Sequence, residues 1–263
     1  MGKYIKLFDT HAQYESYTAD TQNFILPNVS YCVDTPNEVH YNPYVAPPET
    51  RVVVKYDVID TANPTKILNS TFDVNSAEVD SVALQSVETG YTFSTTGEHV
   101  VKYEIGKYNS QTFEQCDRIT SVIIPSSIEE IGTNGFYKCT NLTGVTLLDG
   151  ITEIRDQVFQ YTKIANIDIP DSVTRIGMGA FYECDSLTSC TIGSGITNIG
   201  MDCFGSSRLK TLTVNAITPP TLGSGVFRYV GSLEAIYVPS GSVETYKAAS
   251  GWSDYASIIQ PIA

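Results

Sequence analysis

Ile167-Asp168-Ile169-Pro170-Asp171-Ser172-Val173-Thr174-Arg175-Ile176-Gly177-Met178-Gly179-Ala180-Phe181-Tyr182-Glu183-Cys184 is the stretch on which the fold turns. Ile167 and Ile169 alternate with the period of two of a short strand, and Pro170 closes it where no ladder donor is needed. Val173 and Ile176 form a second apolar pair, and Phe181 opens the next segment. The same order recurs on both sides. Phe113, Phe136, Phe159, Phe181, Phe204 and Phe227 follow one another at 23, 23, 22, 23 and 23 residues. Each is followed by an apolar triplet of the form L-x-x-L-x-L: Ile119-Val122-Ile124, Leu142-Val145-Leu147, Ile164-Ile167-Ile169, Leu187-Cys190-Ile192, Leu209-Leu212-Val214 and Leu233-Ile236-Val238. Second pairs stand at Ile128-Ile131, Ile151-Ile154, Val173-Ile176 and Ile196-Ile199. Six units at near-constant spacing are a repeat architecture.

One unit of this length cannot bury its own Phe and aliphatic rungs, whereas stacked units bury them continuously. The period therefore predicts a parallel sheet along one face and turns or short helices at the Phe segments. The fifth unit carries Ile217-Thr218-Pro219-Pro220-Thr221 where its second rung belongs, which predicts a bulge or altered turn.

The units Ile167–Gly177 and Gly177-Met178-Gly179-Ala180-Phe181-Tyr182-Glu183-Cys184-Asp185-Ser186-Leu187 resemble the BspA-like leucine-rich repeat of bacterial surface proteins and of some protist and phage proteins. The tail from Val238-Pro239 through Tyr246 and Trp252 to Tyr255 is similar to that family's C-terminal cap. The resemblance implies a mainly β chain: a right-handed leucine-rich-repeat solenoid of about six 22–23-residue coils over 109–238, with a cap over 239–263. It also implies adhesion or protein binding and no catalysis.

Residues 1–108 lack the repeat and hold 10 of the 17 tyrosines. In 1–50, Asp9 or Thr10 can cap a short helix over 11–17. Val29, Tyr31 and Val33, then Val39 and Tyr41 beyond the turn Asp34-Thr35-Pro36-Asn37, read as a β-hairpin. The proline-rich run 41–48 reads as a linker. Strand-like runs at 51–58, 66–68, 77–82, 90–94 and 99–105 predict a small β-sandwich over 51–108. The phrase from Tyr91 to Tyr103 resembles the closing strands of bacterial immunoglobulin-like modules.

Charge excludes several partners. Sixteen Lys and Arg against 29 Asp and Glu leave a formal charge of −13, with 14 of the acidic residues before Tyr108 and 15 after it. Nucleic acid and anionic membrane surfaces would be repelled. No run approaches the roughly 18 apolar residues of a membrane span. Residues 1–9 contain neither an apolar stretch of signal-peptide length nor the myristoylation pattern.

No catalytic set emerges. Cys116, Cys139 and Cys184 each sit three residues after a repeat Phe, Cys190 occupies a middle rung, Cys203 precedes Phe204, and Cys32 lies in the hairpin. No C-x-x-C is present, so buried thiols are expected rather than zinc or redox chemistry. A Cys116–Cys139 disulfide stays open, because adjacent coils in register lie roughly 4.8 Å apart. The three histidines, His11, His40 and His99, lie outside the repeats, and no G-x-S-x-G elbow accompanies them. No cofactor, metal or catalytic residue is expected. His40 could pair with Cys32 across the hairpin, as nucleophile and base or as half a metal site, but an edge-strand imidazole is the default reading.

The outward positions between the inward rungs remain. Thr146, Asp168, Thr191 and Thr213 occupy L-x-L centres, with Asn166, Ser189 and Thr211 one register earlier. This nearly uncharged array is the expected ligand face, while Ile123 and Tyr237 at its ends are expected to contact the N-terminal module and the cap. Two readings follow. In the first, the chain is an extracellular or cell-surface module that binds a protein or glycan on a host or neighbouring cell. In the alternative it is a phage virion component for structure or host attachment.

Overall fold

The computed structural model describes the backbone of 32–35 and 38–41, and residues 51–69, 74–105 and 111–262 in full. The short helix expected over 11–17 and the linker over 42–48 lie outside them. The chain divides into two units, Met1–Glu49 and Thr50–Ala263.

In the first unit, β1 (Cys32–Thr35) and β2 (Glu38–Tyr41) pair antiparallel, with Cys32 opposite Tyr41 and Thr35 opposite Glu38.

The second unit is built on the Phe repeat. The rings of Phe113, Phe136, Phe159, Phe181, Phe204 and Phe227 form one buried column, with centroids 5.1, 5.6, 5.5, 5.5 and 5.9 Å apart and planes within 18° of parallel. Exact repetition of the residue forces this stacking, since each unit places its ring over the equivalent ring of the one before. The residues two before and two after each Phe have positive φ. Gln111 and Gln115, Asn134 and Lys138, Gln157 and Tyr161, and Asp202 and Ser206 are such pairs; Gly179 with Glu183 and Gly225 with Tyr229 complete the set. The expected turns or short helices are thus turns with two left-handed residues each. Their amides all point one way: Gln111, Phe113 and Gln115 donate to Thr133, Gly135 and Tyr137 carbonyls, and later units repeat this. Those inter-unit bonds offset the strain of left-handed, non-glycine residues.

After each Phe, the triplet enters a strand. β13 (Asn166–Ile169), β15 (Ser189–Ile192), β17 (Thr211–Val214) and β19 (Ala235–Val238) pair in parallel, and β20 (Ile259–Pro261) joins from the C-terminus. The second apolar pairs build a parallel ladder of two-residue strands: β10 (Glu130–Ile131), β12 (Glu153–Ile154), β14 (Arg175–Ile176), β16 (Asn198–Ile199) and β18 (Thr221–Leu222). At the corner between them, Thr152, Thr174 and Thr197 donate both amide and hydroxyl to a carbonyl of the preceding unit.

At the N-terminal end, β9 (Ile119–Ile124) pairs in parallel with β11 (Gly144–Leu147) and antiparallel with β3 (Val52–Val58). β8 (Gly97–Ile105), β5 (Val74–Val79) and β6 (Val82–Ala83) extend that sheet, so the order is β11-β9-β3-β8-β5-β6. β4 (Thr65–Lys66) and β7 (Gly90–Tyr91) pair separately. β3, β5, β6 and β8 therefore share one hydrogen-bonded sheet with the first two repeat strands. Their inward residues Val52, Val54, Tyr56, Val101 and Tyr103 join the same buried core as Phe113. The carbonyl edge of the first turn is also met from here: Asn69 N donates to Thr112 O at 2.7 Å and Lys66 Nζ to Glu114 O at 2.8 Å.

At the C-terminal end, helix α1 (Val243–Ala248) and a 3₁₀ segment (Ser253–Ile258) cover the last unit. Tyr246 and Trp252 are fully buried and meet edge to face at 5.0 Å. Each finds a carbonyl on the irregular fifth unit: Tyr246 Oη donates to Ala216 O and Trp252 Nε1 to Pro220 O, both at 2.8 Å. Pro220 has no amide to give, so the ladder bond to Thr197 O comes from Thr221 and the register survives in β18.

Candidate functional site

The strand face starts from alternation. In β13, β15 and β17, Ile167, Ile169, Cys190, Ile192, Leu212 and Val214 point inward and are buried, which turns the residues between them outward. Pairing then aligns them. Asn166, Ser189 and Thr211 form one row, ending at the buried Ala235; Asp168, Thr191, Thr213 and Tyr237 form the second, ending opposite Gln260. Asn166 and Asp168 are exposed, and the Ser and Thr residues are half-buried. Six of the seven expected face residues thus share one sheet. Thr146 is exposed on β11, in register with Ile123, and belongs to the other sheet.

The two apolar residues fall on different sheets. Ile123 stands opposite Val53 of β3, and Tyr237 stands opposite Gln260 of β20. Hydroxyls and one amide recur in these rows at the strand spacing of about 4.8 Å, which suits hydrogen bonding to a partner surface. Asp168 is the one charge within the two rows. Behind it, burial first and the Asp168 carboxylate second push the Cys190 thiol far up.

The remaining candidates for chemistry are held in packing. Cys116, Cys139, Cys184, Cys190 and Cys203 are free and buried, so Cys116 and Cys139 are not bridged in this structure. Cys139 Sγ donates to Phe113 O at 3.0 Å and Cys184 Sγ to Phe159 O at 3.1 Å, each tying a unit to the one before. Burial raises Cys116 and Cys184 to about 12. His99 is buried, with Nδ1 2.6 Å from Asp80 Oδ2 and Nε2 2.9 Å from Thr95 O. His40 stands opposite Val33 rather than Cys32 in the hairpin, and His11 lies outside the described residues. Among the described residues no cluster of three or more His, Cys, Asp or Glu could hold a metal ion. No described helix is long and apolar enough to cross a membrane.

A second exposed surface follows the ladder of two-residue strands. Glu130, Glu153, Arg175 and Asn198 are in register there. Arg155 grips Glu130 with Nε to Oε1 at 2.6 Å and Nη2 to Oε2 at 2.7 Å, while Arg175 pairs with Glu153 and lies 3.8 Å from Asp156. Glu130, Glu153 and Arg175, each before a second-rung Ile, carry this network together with Arg155 and Asp156, which follow Ile154, and reading only the L-x-L centres passes over these positions.

Parts of the chain are similar to known proteins. The model of the BspA type leucine-rich repeat region matches residues 105–234 in six copies. Among solved structures the chain is similar to the pneumococcal vaccine antigen PcpA, at 26% identity over 54% of this chain and 38% of that one, with a TM-score of 0.45. It is similar to a leucine-rich-repeat protein of T. pallidum at 26% identity, over 51% of this chain and 65% of that one, with a TM-score of 0.43. A leucine-rich cell surface protein of Faecalibacterium prausnitzii matches at 19% identity over 59% of this chain and 62% of that one, with a TM-score of 0.34. The chain thus spans between 38% and 65% of the length of these structures. No curated protein matches it. Residues 105–234 are thus similar to the BspA type leucine-rich repeat region.

Proposed function

We propose that this chain is a non-enzymatic binding module, extracellular or on a cell surface. Its repeat units stack as a right-handed solenoid whose outward strand face holds a protein on a host or neighbouring cell. The observation that carries this reading is the in-register array of Asn166, Ser189 and Thr211 beside Asp168, Thr191 and Thr213. Uncharged hydroxyl and amide groups on a rigid parallel sheet offer donors and acceptors with little entropy to lose on binding. The match of 105–234 to the BspA type leucine-rich repeat region points the same way. The immunoglobulin-like likeness of 51–108 makes that segment a spacer ahead of the face.

The test replaces Thr146, Asp168, Thr191 and Thr213 with lysine together. Binding of the intact chain to immobilised matrix and cell-surface proteins is then compared with the parent, with circular dichroism as the check on folding. The expected result is lost binding with an unchanged spectrum. Undiminished binding by the folded variant refutes the face.

A further inference from the structure

Between the second and third repeat units the strand side is not laddered. β9 pairs with β11 and β13 with β15, each over four residues, but β11 ends one sheet and β13 begins another. Among the described residues a single backbone bond crosses the strand side there, from Lys163 N to Leu142 O at 2.9 Å. Other joints are also tied where the strands end: Leu148 N donates to Ile124 O, Gly193 N to Ile169 O and Asn215 N to Ile192 O. The corresponding residue after β13 is Pro170, which has no amide to give. That proline alone does not part the strands, since Pro239 stands in the same place after β19 and β19 still pairs with β17.

The core records the same gap. Val122, Ile167, Cys190, Leu212 and Ile236 hold the middle rung of their units and are buried, whereas Val145, the middle rung beside the gap, is half-buried. In a strand flanked on both sides, successive amides face opposite neighbours. Gly193 N reaches back to Ile169 O, so the Thr191 amide, two residues earlier, also points to the unit before it. Asp168 is the in-register counterpart of Thr191, so its amide points at β11, where no backbone bond receives it among the described residues. The other sides of the same two units are closed. Phe136 and Phe159 stack at 5.6 Å, and β12 pairs with β14. The amides of Asn134, Phe136 and Lys138 donate to the carbonyls of Asp156, Val158 and Gln160.

We infer that this joint is a hinge: the strand side opens between β11 and β13, while the phenylalanine column and the ladder of two-residue strands keep the units stacked. Opening is cheapest where the fewest bonds must break, and here parting Val145 from Ile167 disrupts no strand ladder. The sheet that holds β3, β8, β9 and β11 and the sheet that holds β13, β15, β17, β19 and β20 then turn as two panels. Thr146 moves with the first, and Asp168, Thr191 and Thr213 move with the second. The hinge holds whether or not that face binds a protein.

The test uses the full chain. Hydrogen exchange followed by NMR should find the Asp168 amide exchanging at least about tenfold faster than the Thr191 and Thr213 amides. A static gap would give that result too, so a buried position must report on the motion. Ile167→Cys puts a thiol on the middle rung beside the gap, and Leu212→Cys puts one on the same rung between two paired strands, with Cys190 as the native thiol of that rung. At pH 8 a disulfide reagent should modify the thiol of Ile167→Cys at least about tenfold faster than that of Leu212→Cys or Cys190, with circular dichroism as the check on folding. Equal rates in the folded variants overturn the hinge. An Asp168 amide as protected as that of Thr191 also overturns it, and that measurement on the parent chain needs no variant to fold.

Discussion

Tyr103 meets Phe113 edge to face, 5.2 Å between ring centres and 66° between planes, and so closes the N-terminal end of the phenylalanine column. Tyr255 does the same to Phe227 at the other end, at 5.1 Å and 78°. An open stack of apolar rings would expose its last face, and an edge-on tyrosine covers that face while using the ring quadrupole favourably.

Tyr103 also sits in a small polar knot. Its hydroxyl donates to Ile67 O at 3.2 Å, Tyr56 Oη donates to the same carbonyl at 2.6 Å, and the two hydroxyl oxygens are 3.0 Å apart. Tyr103→Ala is expected to cost about 3–5 kcal/mol, the range for removing a large buried ring. Tyr103→Phe, which keeps the ring, should cost about 1 kcal/mol. Urea denaturation of the two variants checks the ratio.

Phe159 lies mid-column, with Phe136 and Phe181 stacked on its two faces at 5.6 and 5.5 Å. Phe159→Ala should cost about 3–5 kcal/mol and, because repeat units couple only to their neighbours, split the unfolding transition in two. Coincident tryptophan fluorescence and far-ultraviolet transitions in that variant would show the coupling to lie elsewhere.

Trp252 anchors the cap through its bond to Pro220 O. Trp252→Phe keeps most of the apolar area and drops the donor, leaving a buried carbonyl unmatched at about 1–3 kcal/mol. Hydrogen exchange should then accelerate first in β19 and β20, before the turns near Phe136 respond.

The buried thiols make stability fall at alkaline pH. Burial holds the Cys116 and Cys184 thiols at about 12 when folded, against about 9 for an exposed thiol. A raised folded value favours the protonated thiol in the native state, so this contribution is complete below pH 9 and is lost between there and about 12 as the unfolded thiols ionise. Urea midpoints should fall from pH 9 upward, and less so in Cys116→Ser or Cys184→Ser after correction for their own stability. In the native state the five described thiols should resist a disulfide reagent at pH 8 and react on unfolding.

What could be read from the chain beforehand was what each unit repeats. Phe113 to Phe227 carry the period in the residue itself, and Ile167-x-Ile169 carries inside and outside in its alternation, because local spacing alone decides which side chains a stacked strand turns inward. The left-handed turns were not legible: Gln115, Lys138, Tyr161 and Glu183 adopt positive φ without the glycine that usually announces it. Only the bonds each turn makes to the next unit hold them there.

The candidate face divides along the same line. That Asn166, Asp168, Ser189, Thr191, Thr211 and Thr213 turn outward follows from alternation. That they form two rows on one sheet while Thr146 joins another depends on pairing between strands far apart in the chain. The antiparallel joint of β3 to β9 is of the same kind, with Val54 paired to Val122 across 68 residues. The sequence alone thus determined the repeat, its buried column and its outward positions, because those are properties of neighbouring residues. Which edges those units share was decided by contacts that exist only after the chain has folded.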